Sequence, residues 1–344
     1  MNLVTGATGH IGNVLVKELI NKGESVRVLV LPGEDLTPIE DMKVEVLYGN
    51  ILDRACLIEA FENVDTVFHL AGIISISTGQ DEFVHNVNVE GTRNMIDAAM
   101  QAGVSRFVYT SSIHAFKRLP HGTVINESTP IDPIYNVAAY DRSKAEATLL
   151  VLENVKNGLP AVIVCPTGVI GPYDFKGSEM GELMNGWMLK KVNYMINGSY
   201  DFVDVRDVVQ GLIQARDKGK VGQLYILSGE LIRVSDLWNI VKELLTIKSR
   251  LVNIPIRLAR FLAFFAEQYY KITSTKPKFT QYSVETLQTN AVFSNTKARQ
   301  NLGYAPRTIR ESVLDTMNWW KQNRSKLNGK IAKKEIKPQS HARN

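Results

Sequence analysis

Short apolar runs alternate along this chain with stretches in which apolar residues recur three and four positions apart. Residues 2–4 form the first run, and Val14, Leu15, Leu19 and Ile20 follow at helical spacing. Residues 25–31, 43–47, 64–70, 105–110 and 161–165 repeat the strand pattern. Residues 54–62, 87–102 and 138–155 carry the helical one, the second through Val89, Met95, Ile96 and Ala99. Buried strands read as near-continuous apolar runs, and amphipathic helices as stripes of 3.6-residue period. The alternation predicts an α/β fold: a parallel, doubly wound sheet with helices on both faces. After Pro166 it breaks down. Residues 168–198 hold glycines, Trp187 and scattered methionines and tyrosines, before a helix at 203–215 and a strand at 223–227. The expected division is a sheet domain of residues 1–170 and 199–228, a smaller, mostly helical substrate lobe of 171–198 and 229–323, and a solvated basic tail at 324–344.

The 344 residues, 44% hydrophobic and 22% charged, suit an ordinary globular chain with length for one large core or two. The net charge of +5 is local: from Arg324 onward seven Lys or Arg face Glu335 alone, against 33 basic and 34 acidic residues elsewhere. The body gives no reason to expect nucleic acid as a partner. Cys56 and Cys165 show neither metal spacing nor a disulfide framework, so no metal and a reducing compartment are expected. A strand starting at residue 2 leaves no room for a leader, no apolar stretch approaches the ~18 residues of a membrane span, and a cytoplasmic location is expected.

The first run leads straight into Gly6, Gly9 and Gly12 and then a helix. Glycines at this spacing permit the tight turn, close approach of backbone N–H groups to a pyrophosphate, and close helix–strand packing. The helix N-terminus faces the negative charge. This is the arrangement of a Rossmann dinucleotide site. Ligands of such sheets sit at the carboxyl ends of the strands, where Gly6, Ala71-Gly72, Ser111-Ser112 and Pro166-Thr167 fall.

Tyr140 and Lys144 share one face at the start of the long helix. A nearby ammonium favours the phenolate, and a tyrosine so tuned exchanges a proton with a carbonyl or alcohol oxygen. Ser112 ends a strand where its hydroxyl would orient that oxygen; Ser111 is its rival, because adjacent strand residues face opposite ways.

Six segments occur in order: residues 5–12, His69-Leu-Ala-Gly72, Asn88-Val-Glu-Gly-Thr92, Tyr109-Thr-Ser-Ser112, Tyr140-x-x-x-Lys144 and residues 166–172. Phe202-Val-Asp-Val-Arg-Asp207, Phe293-Ser-Asn-Thr-Lys-Ala298 and Leu302-Gly-Tyr-Ala-Pro306 continue them. Through about Asn323 the chain resembles an extended short-chain dehydrogenase/reductase of the NAD-dependent epimerase/dehydratase group. Its nearest likeness is to the dihydroflavonol-reductase-like and 3β-hydroxysteroid-dehydrogenase-like branch. The resemblance implies that Tyr140 is the acid–base, that Lys144 binds the nicotinamide ribose and tunes Tyr140, and that Ser112 orients the substrate. It implies coenzyme contacts from Gly6, Thr8, Gly9, His10, Ile11, Gly12, Leu70, Ala71, Gly72, Asn88, Thr110, Ser111, Tyr140 and Lys144, with Pro166 and Val169 bordering the nicotinamide. Asn50 and Ile51 match its adenine-contacting pair, where the family usually has Asp in place of Asn50.

NAD and NADP are told apart near the end of the second strand, by an acid or an arginine respectively. Val30 and Leu31 supply neither, and Arg27 lies mid-strand. Glu34 and Asp35 would repel a 2′-phosphate, so NAD is favoured. The favoured reaction is a single hydride transfer between NAD(P) and a ketone or secondary alcohol of a small, fairly apolar substrate. Residues 165–172 resemble the reductase form, and Trp187, Met188, Phe261, Phe264 and Phe265 suggest an apolar lobe. The alternatives are a nucleotide-sugar epimerase or dehydratase and a non-catalytic dinucleotide sensor.

In residues 254–270, Leu258, Phe261, Leu262 and Phe265 form a helical stripe, read as packing inside the substrate lobe; a lid or a membrane-surface helix is the lesser alternative. Residues 73–80 should line the substrate mouth. His69 reads as a strand-end residue, and His114 is a candidate substrate contact. The helices at 87–102 and 138–155 leave a homodimer open.

Overall fold

The computed structural model describes residues 1–74, 81–134, 138–189, 192–246, 249–273 and 280–336. Residues 75–80 of the expected substrate-mouth loop lie outside them. In chain order the first half comprises β1 (Asn2–Thr5), α1 (His10–Asn21), β2 (Val26–Val30), β3 (Glu45–Tyr48), α2 (Arg54–Ala60) and β4 (Thr66–His69). Next come α3 (Asp81–His85), a π-helical stretch (Asn86–Glu90), α4 (Gly91–Ala102), β5 (Arg106–Thr110), a 3₁₀ turn (Ile113–Ala115), α5 (Ala139–Lys156) and β6 (Ala161–Pro166). The second half adds β7 (Gly168–Ile170), α6 (Glu179–Leu189), β8 (Val192–Ile196), β9 (Ser199–Asp204), α7 (Val205–Lys218), β10 (Leu224–Leu227) and β11 (Glu230–Arg233). It ends with α8 (Val234–Leu245), β12 (Arg250–Ile254), α9 (Ile256–Thr273), α10 (Gln281–Thr286), α11 (Thr296–Leu302) and α12 (Ile309–Ile336).

Seven of the described strands form one sheet in the order β3-β2-β1-β4-β5-β6-β10, every pair parallel. Alternate residues feed opposite faces. Leu3, Val67, Phe107 and Ile163 pack with Met95, Ile96 and Val151, on the side of α4 and α5. Val4, Phe68, Val108 and Val164 pack with Leu15, Leu19, Val208 and Leu212, on the side of α1 and α7. Each such side chain stabilises the fold by about 1.5–3 kcal/mol on burial. The strand order reverses between β1 and β4, which opens a crevice at their carboxyl ends.

The second lobe is less purely helical than expected. It carries a three-stranded sheet, β11-β9-β7, and the parallel pair β8/β12. Trp187, Trp238, Leu237, Val313, Met317 and Trp320 form its core, between α6, α8 and α12. The helix expected at 203–215 starts at Val205. Phe202 and Val203 end β9, and the carboxylate of Asp204 accepts from the N–H of Arg206 at 2.8 Å, capping α7. Ala298, Leu302 and Tyr304, expected in the second lobe, pack instead with Val208 and Leu212 in the core of the main sheet.

Two further expectations change. The backbone of α12 runs helical through Ile336, past Arg324 where the basic tail was expected to begin, and residues 337–344 lie outside the described chain. Helix α9 does not bury its aromatic stripe. Ala259 and Ala263 form the packed face, against Ile196 and Val284, while Leu258, Phe261, Leu262, Phe264 and Phe265 are exposed. Small residues let the helix approach its neighbours closely, and that contact sets its rotation. Among the described residues no helix is long and apolar enough to cross a membrane.

Candidate active site

The glycine loop is built by exclusion. Gly6 has φ +71°, and a Cβ there would lie 2.9 Å from the Ala71 nitrogen; at Gly12 it would lie 2.1 Å from the carbonyl oxygen of Gly6. Gly9 donates to that same carbonyl at 3.0 Å and caps α1 without a side-chain hydrogen bond. The first-turn N–H groups of His10, Ile11 and Gly12 thus stand at the positive end of an uncapped helix, at the mouth of the crevice. The His10 ring meets the carbonyl of Pro172 at 3.0 Å, which ties the helix start to the segment after β7.

Thr5, at the end of β1, stitches the next strand end into place. Its oxygen accepts from Leu70 N at 3.2 Å and Ala71 N at 3.1 Å, so its own proton goes to His69 Nδ1 at 2.8 Å. His69 Nε2 then donates to Thr92 at 3.0 Å, and Thr92 donates to the Asn88 carbonyl at 2.7 Å. Burial pulls the His69 pKa down to about 3, which keeps the ring neutral in this relay. His69 is the expected strand-end residue.

Asn88, on the π-helical stretch, accepts from Ile73 N at 2.7 Å and donates to Ser143 at 2.9 Å. A Cβ at Gly72 would lie 3.1 Å from Asn88 Oδ1 and 3.6 Å from Lys144 Nζ, so these three positions converge. Lys144 Nζ donates to the carbonyl of Thr110 at 2.8 Å, and burial brings its pKa down to about 8. Ser112 Oγ accepts from His114 N at 3.2 Å, and its hydroxyl acts on the neighbouring Tyr140 phenol. Burial pushes the Tyr140 phenol up to about 12; the Ser112 hydroxyl opposes this and the Asp141 charge adds to it. Ser112 is the neighbour that opposes burial at Tyr140, and the Lys144 ammonium donates to the Thr110 carbonyl. The two serines are also told apart. Ser111 turns to Thr148 at 2.6 Å, inside the sheet–helix interface, while Ser112 is the serine that acts on Tyr140.

Other expected contacts stand at the rim or behind it. Asn50 is exposed and uses its carbonyl oxygen on Leu52 N at 3.0 Å, a role that Asn fills as well as Asp. Ile51 is buried in the core against Gly91, where a Cβ would lie 2.5 Å from it. Pro166 ends β6, and Val169 lies half-buried on β7. Thr8 is buried and donates to Glu34. Lys176 reaches both Thr8 and Glu34 at 2.8 Å, and Leu31 N donates to Glu34 at 3.1 Å. Burial alone would raise the Glu34 pKa, but these hydrogen bonds and the Lys176 charge hold it below the usual range.

A second cluster escaped the sequence pattern. Asp141, fully buried next to Tyr140, accepts from Arg118 at 2.9 Å and from the Tyr282 hydroxyl at 2.7 Å. His114 Nδ1 lies 3.4 Å from Asp141, and His114 Nε2 lies 2.8 Å from the Tyr200 hydroxyl. The His114 ring is edge-on to Tyr140, with centroids 5.9 Å apart. The sequence pointed to His114 by itself and to Asp141 only as the charged i+1 neighbour of Tyr140; Arg118, Tyr200 and Tyr282 come from distant segments.

The sequence and the fold match known proteins. The model of the NAD dependent epimerase/dehydratase family matches residues 2–227. Sterol demethylase protein B of Methylococcus capsulatus is 32% identical, over 93% of this chain and 98% of that protein. A putative dihydroflavonol 4-reductase of Synechocystis is 28% identical, over 93% of this chain and 94% of its own. The crystal structure of gox2253 superposes with a TM-score of 0.82 at 31% identity, covering 94% of this chain and 98% of that one.

Proposed function

The chain belongs to the NAD dependent epimerase/dehydratase family, which makes it an NAD(P)-dependent oxidoreductase, and we propose that it reduces a ketone of a small, fairly apolar substrate or oxidises the matching secondary alcohol. The dinucleotide fits the residues present: the tight backbone packing of the loop that Gly6 and Gly12 alone permit and the uncapped start of α1 are the features a pyrophosphate needs. Gly6, Thr8, Gly9, His10, Ile11 and Gly12 would hold it, with Leu70, Ala71, Gly72 and Asn88 along the second strand end and Lys144 at the ribose. When bound, NAD(P) supplies or accepts the hydride at its nicotinamide ring.

The single observation that carries the proposal is the buried grouping of Ser112 beside Tyr140, one helical turn from buried Lys144. Two hydroxyls at one point can both donate to a carbonyl oxygen and polarise it. As the substrate carbon takes the hydride, its oxygen takes the Tyr140 proton; the phenolate left behind is reprotonated from solvent. A phenol held near 12 is fully protonated at neutral pH, which suits the reductive direction. Lys144 keeps a cation close to the forming phenolate, where charge stabilises most. The relatives named for a dihydroflavonol reductase and a sterol demethylase support an apolar carbonyl substrate. The carboxylate of Glu34 beside Thr8 supports NAD over NADP, since a further phosphate there meets negative charge.

Supplying NADH or NADPH with a panel of cyclic ketones tests the proposal. Coenzyme oxidation with matching alcohol formation is expected. Epimerisation of a nucleotide sugar without net coenzyme turnover would overturn it.

A further inference from the structure

Lys176, in the segment that leads from β7 to α6, carries a cation to the dinucleotide crevice. Its ammonium donates to Thr8 Oγ1 and to Glu34 Oε1, each at 2.8 Å, and Thr8 donates to the same Glu34 oxygen. The three groups close a triangle. Thr8 is buried between Gly6 and Gly9, in the turn that faces the pyrophosphate. Glu34 follows β2, and its second oxygen accepts from Leu31 N at 3.1 Å. In a doubly wound sheet, an acid beyond the second strand receives the 2′-hydroxyl of the adenosine ribose. On that placement of the coenzyme, the ammonium stands beside the 2′ position.

The chain around Lys176 is pinned on both sides. The carbonyl of Tyr173 accepts from Asn13 Nδ2 at 3.1 Å, which ties it to the first turn of α1. The Tyr173 ring lies 4.5 Å from the Lys17 ammonium and beside Trp319 of α12, with centroids 6.2 Å apart. Asp174 is buried and accepts from the N–H and the hydroxyl of Ser178, both at 2.7 Å. Phe175 meets Trp319 edge-on at 5.1 Å. Tyr173 has φ +70° and Gly177 φ +66°. A tyrosine in the left-handed region is strained, and the surrounding contacts must hold it there. This strained turn presents Lys176 to the glycine loop and to the chain after β2.

We infer that Lys176 is a coenzyme-specificity residue, which sets how far the site rejects a 2′-phosphate. The inference rests on the proposed placement of NAD(P) and deepens it. Glu34 alone would accept from a ribose hydroxyl and repel a phosphate. An ammonium on the same carboxylate offsets that repulsion and offers a phosphate oxygen a charged donor. Lysine suits the task, as a point charge on a flexible stem that can exchange one anionic partner for another. Against burial, the hydrogen bonds from Lys176 and Thr8 and the Lys176 charge keep Glu34 ionised, so it remains an acceptor for the hydroxyl of NAD. The choice of coenzyme is then a balance between a carboxylate that follows β2 and a cation that follows β7.

The test measures dissociation constants on the full chain, of NADH and NADPH by fluorescence, and of adenosine 5′-monophosphate and adenosine 2′,5′-bisphosphate by calorimetry. The observable is the ratio of each 2′-phosphorylated ligand to its plain counterpart. Lys176→Met should widen that ratio at least about tenfold, through weaker binding of the 2′-phosphorylated ligands. Lys176→Arg keeps the charge and should hold the ratio within about threefold of wild type. A role confined to holding the segment in place would weaken all four ligands alike and leave the ratio unmoved, which overturns the inference; a ratio that narrows overturns it too. Ketone reduction is measured separately. Turnover with an unmoved ratio would sink the role of Lys176 and leave the proposed function standing. A widened ratio with no ketone reduced by either coenzyme would keep that role and sink the hydride-transfer proposal. No turnover with an unmoved ratio would sink both.

Discussion

Lys144 donates a 2.8 Å hydrogen bond to the carbonyl of Thr110, which pins a lysine of α5 to the last residue of β5, two positions before Ser112. Burial brings its pKa from 10.5 to about 8. The unfolded chain therefore holds this proton more tightly than the folded one. The group costs stability below about pH 8, and the cost is relieved as pH rises toward 10.5. In the coenzyme-free protein, Lys144→Met removes a cost of about 3 kcal/mol at pH 7. It loses a hydrogen bond worth about 1 kcal/mol. Thermal unfolding should show the variant melting above wild type at pH 7, with the gap closing above pH 10. A lower melting point at pH 7 would contradict the buried-cation account.

The same two groups set the pH dependence of turnover. Reduction needs the Tyr140 phenol, present below about 12, and the Lys144 cation, present below about 8. Its kcat/KM should be flat up to about pH 8 and fall above it. Oxidation needs Tyr140 to accept a proton, so its rate should climb with pH and level off near 8. Initial rates in both directions across pH 6–10 check this; a reduction rate that climbs between 6 and 8 would contradict it.

Glu34 should decide the coenzyme. Wild type should use NADH at least about tenfold better than NADPH in kcat/KM. Glu34→Gln removes the negative charge and keeps one acceptor oxygen where the carboxylate uses two, one for Thr8 and one for Leu31 N. The gap should narrow, mostly through a lower KM for NADPH. A wild-type preference for NADPH would show that Lys176 outweighs Glu34 at the 2′ position.

Gly12→Ala places a methyl group 2.1 Å from the Gly6 carbonyl, a contact with backbone that no side-chain rotation relieves. Coenzyme binding should be lost and the melting temperature should fall, with a destabilisation of about 2 kcal/mol or more. Gly23→Ala, at a glycine with open space around it but φ +76°, should cost about 1 kcal/mol and spare coenzyme binding. Calorimetric titration with NADH and a thermal melt separate the two.

The parallel sheet and the glycine loop were readable because both are local: strand runs, helical stripes and Gly6, Gly9 and Gly12 all lie within short windows. The pair Tyr140 and Lys144 was readable for the same reason, as one helical turn. Choosing between Ser111 and Ser112 needed Thr148 on a facing helix, which no local pattern contains. The cluster around Asp141 was hidden because Arg118, His114 and Tyr282 meet it only after folding. Helix α9 misled for a physical reason. Its large apolar residues dominate the stripe, but packing is set by Ala259 and Ala263, whose small size allows close contact. Ala298 and Leu302 likewise join the main core by topology, far along the chain from the sheet they cover.

The most direct measurement is turnover by Tyr140→Phe alongside its affinity for NADH. The substitution removes one oxygen and leaves the ring in place beside His114. The account predicts a fall in kcat of at least about a thousandfold, with the NADH dissociation constant within about threefold of wild type. Turnover close to the wild-type rate would show that the proton comes from elsewhere and would contradict the assignment of Tyr140, Ser112 and Lys144 as the reacting centre.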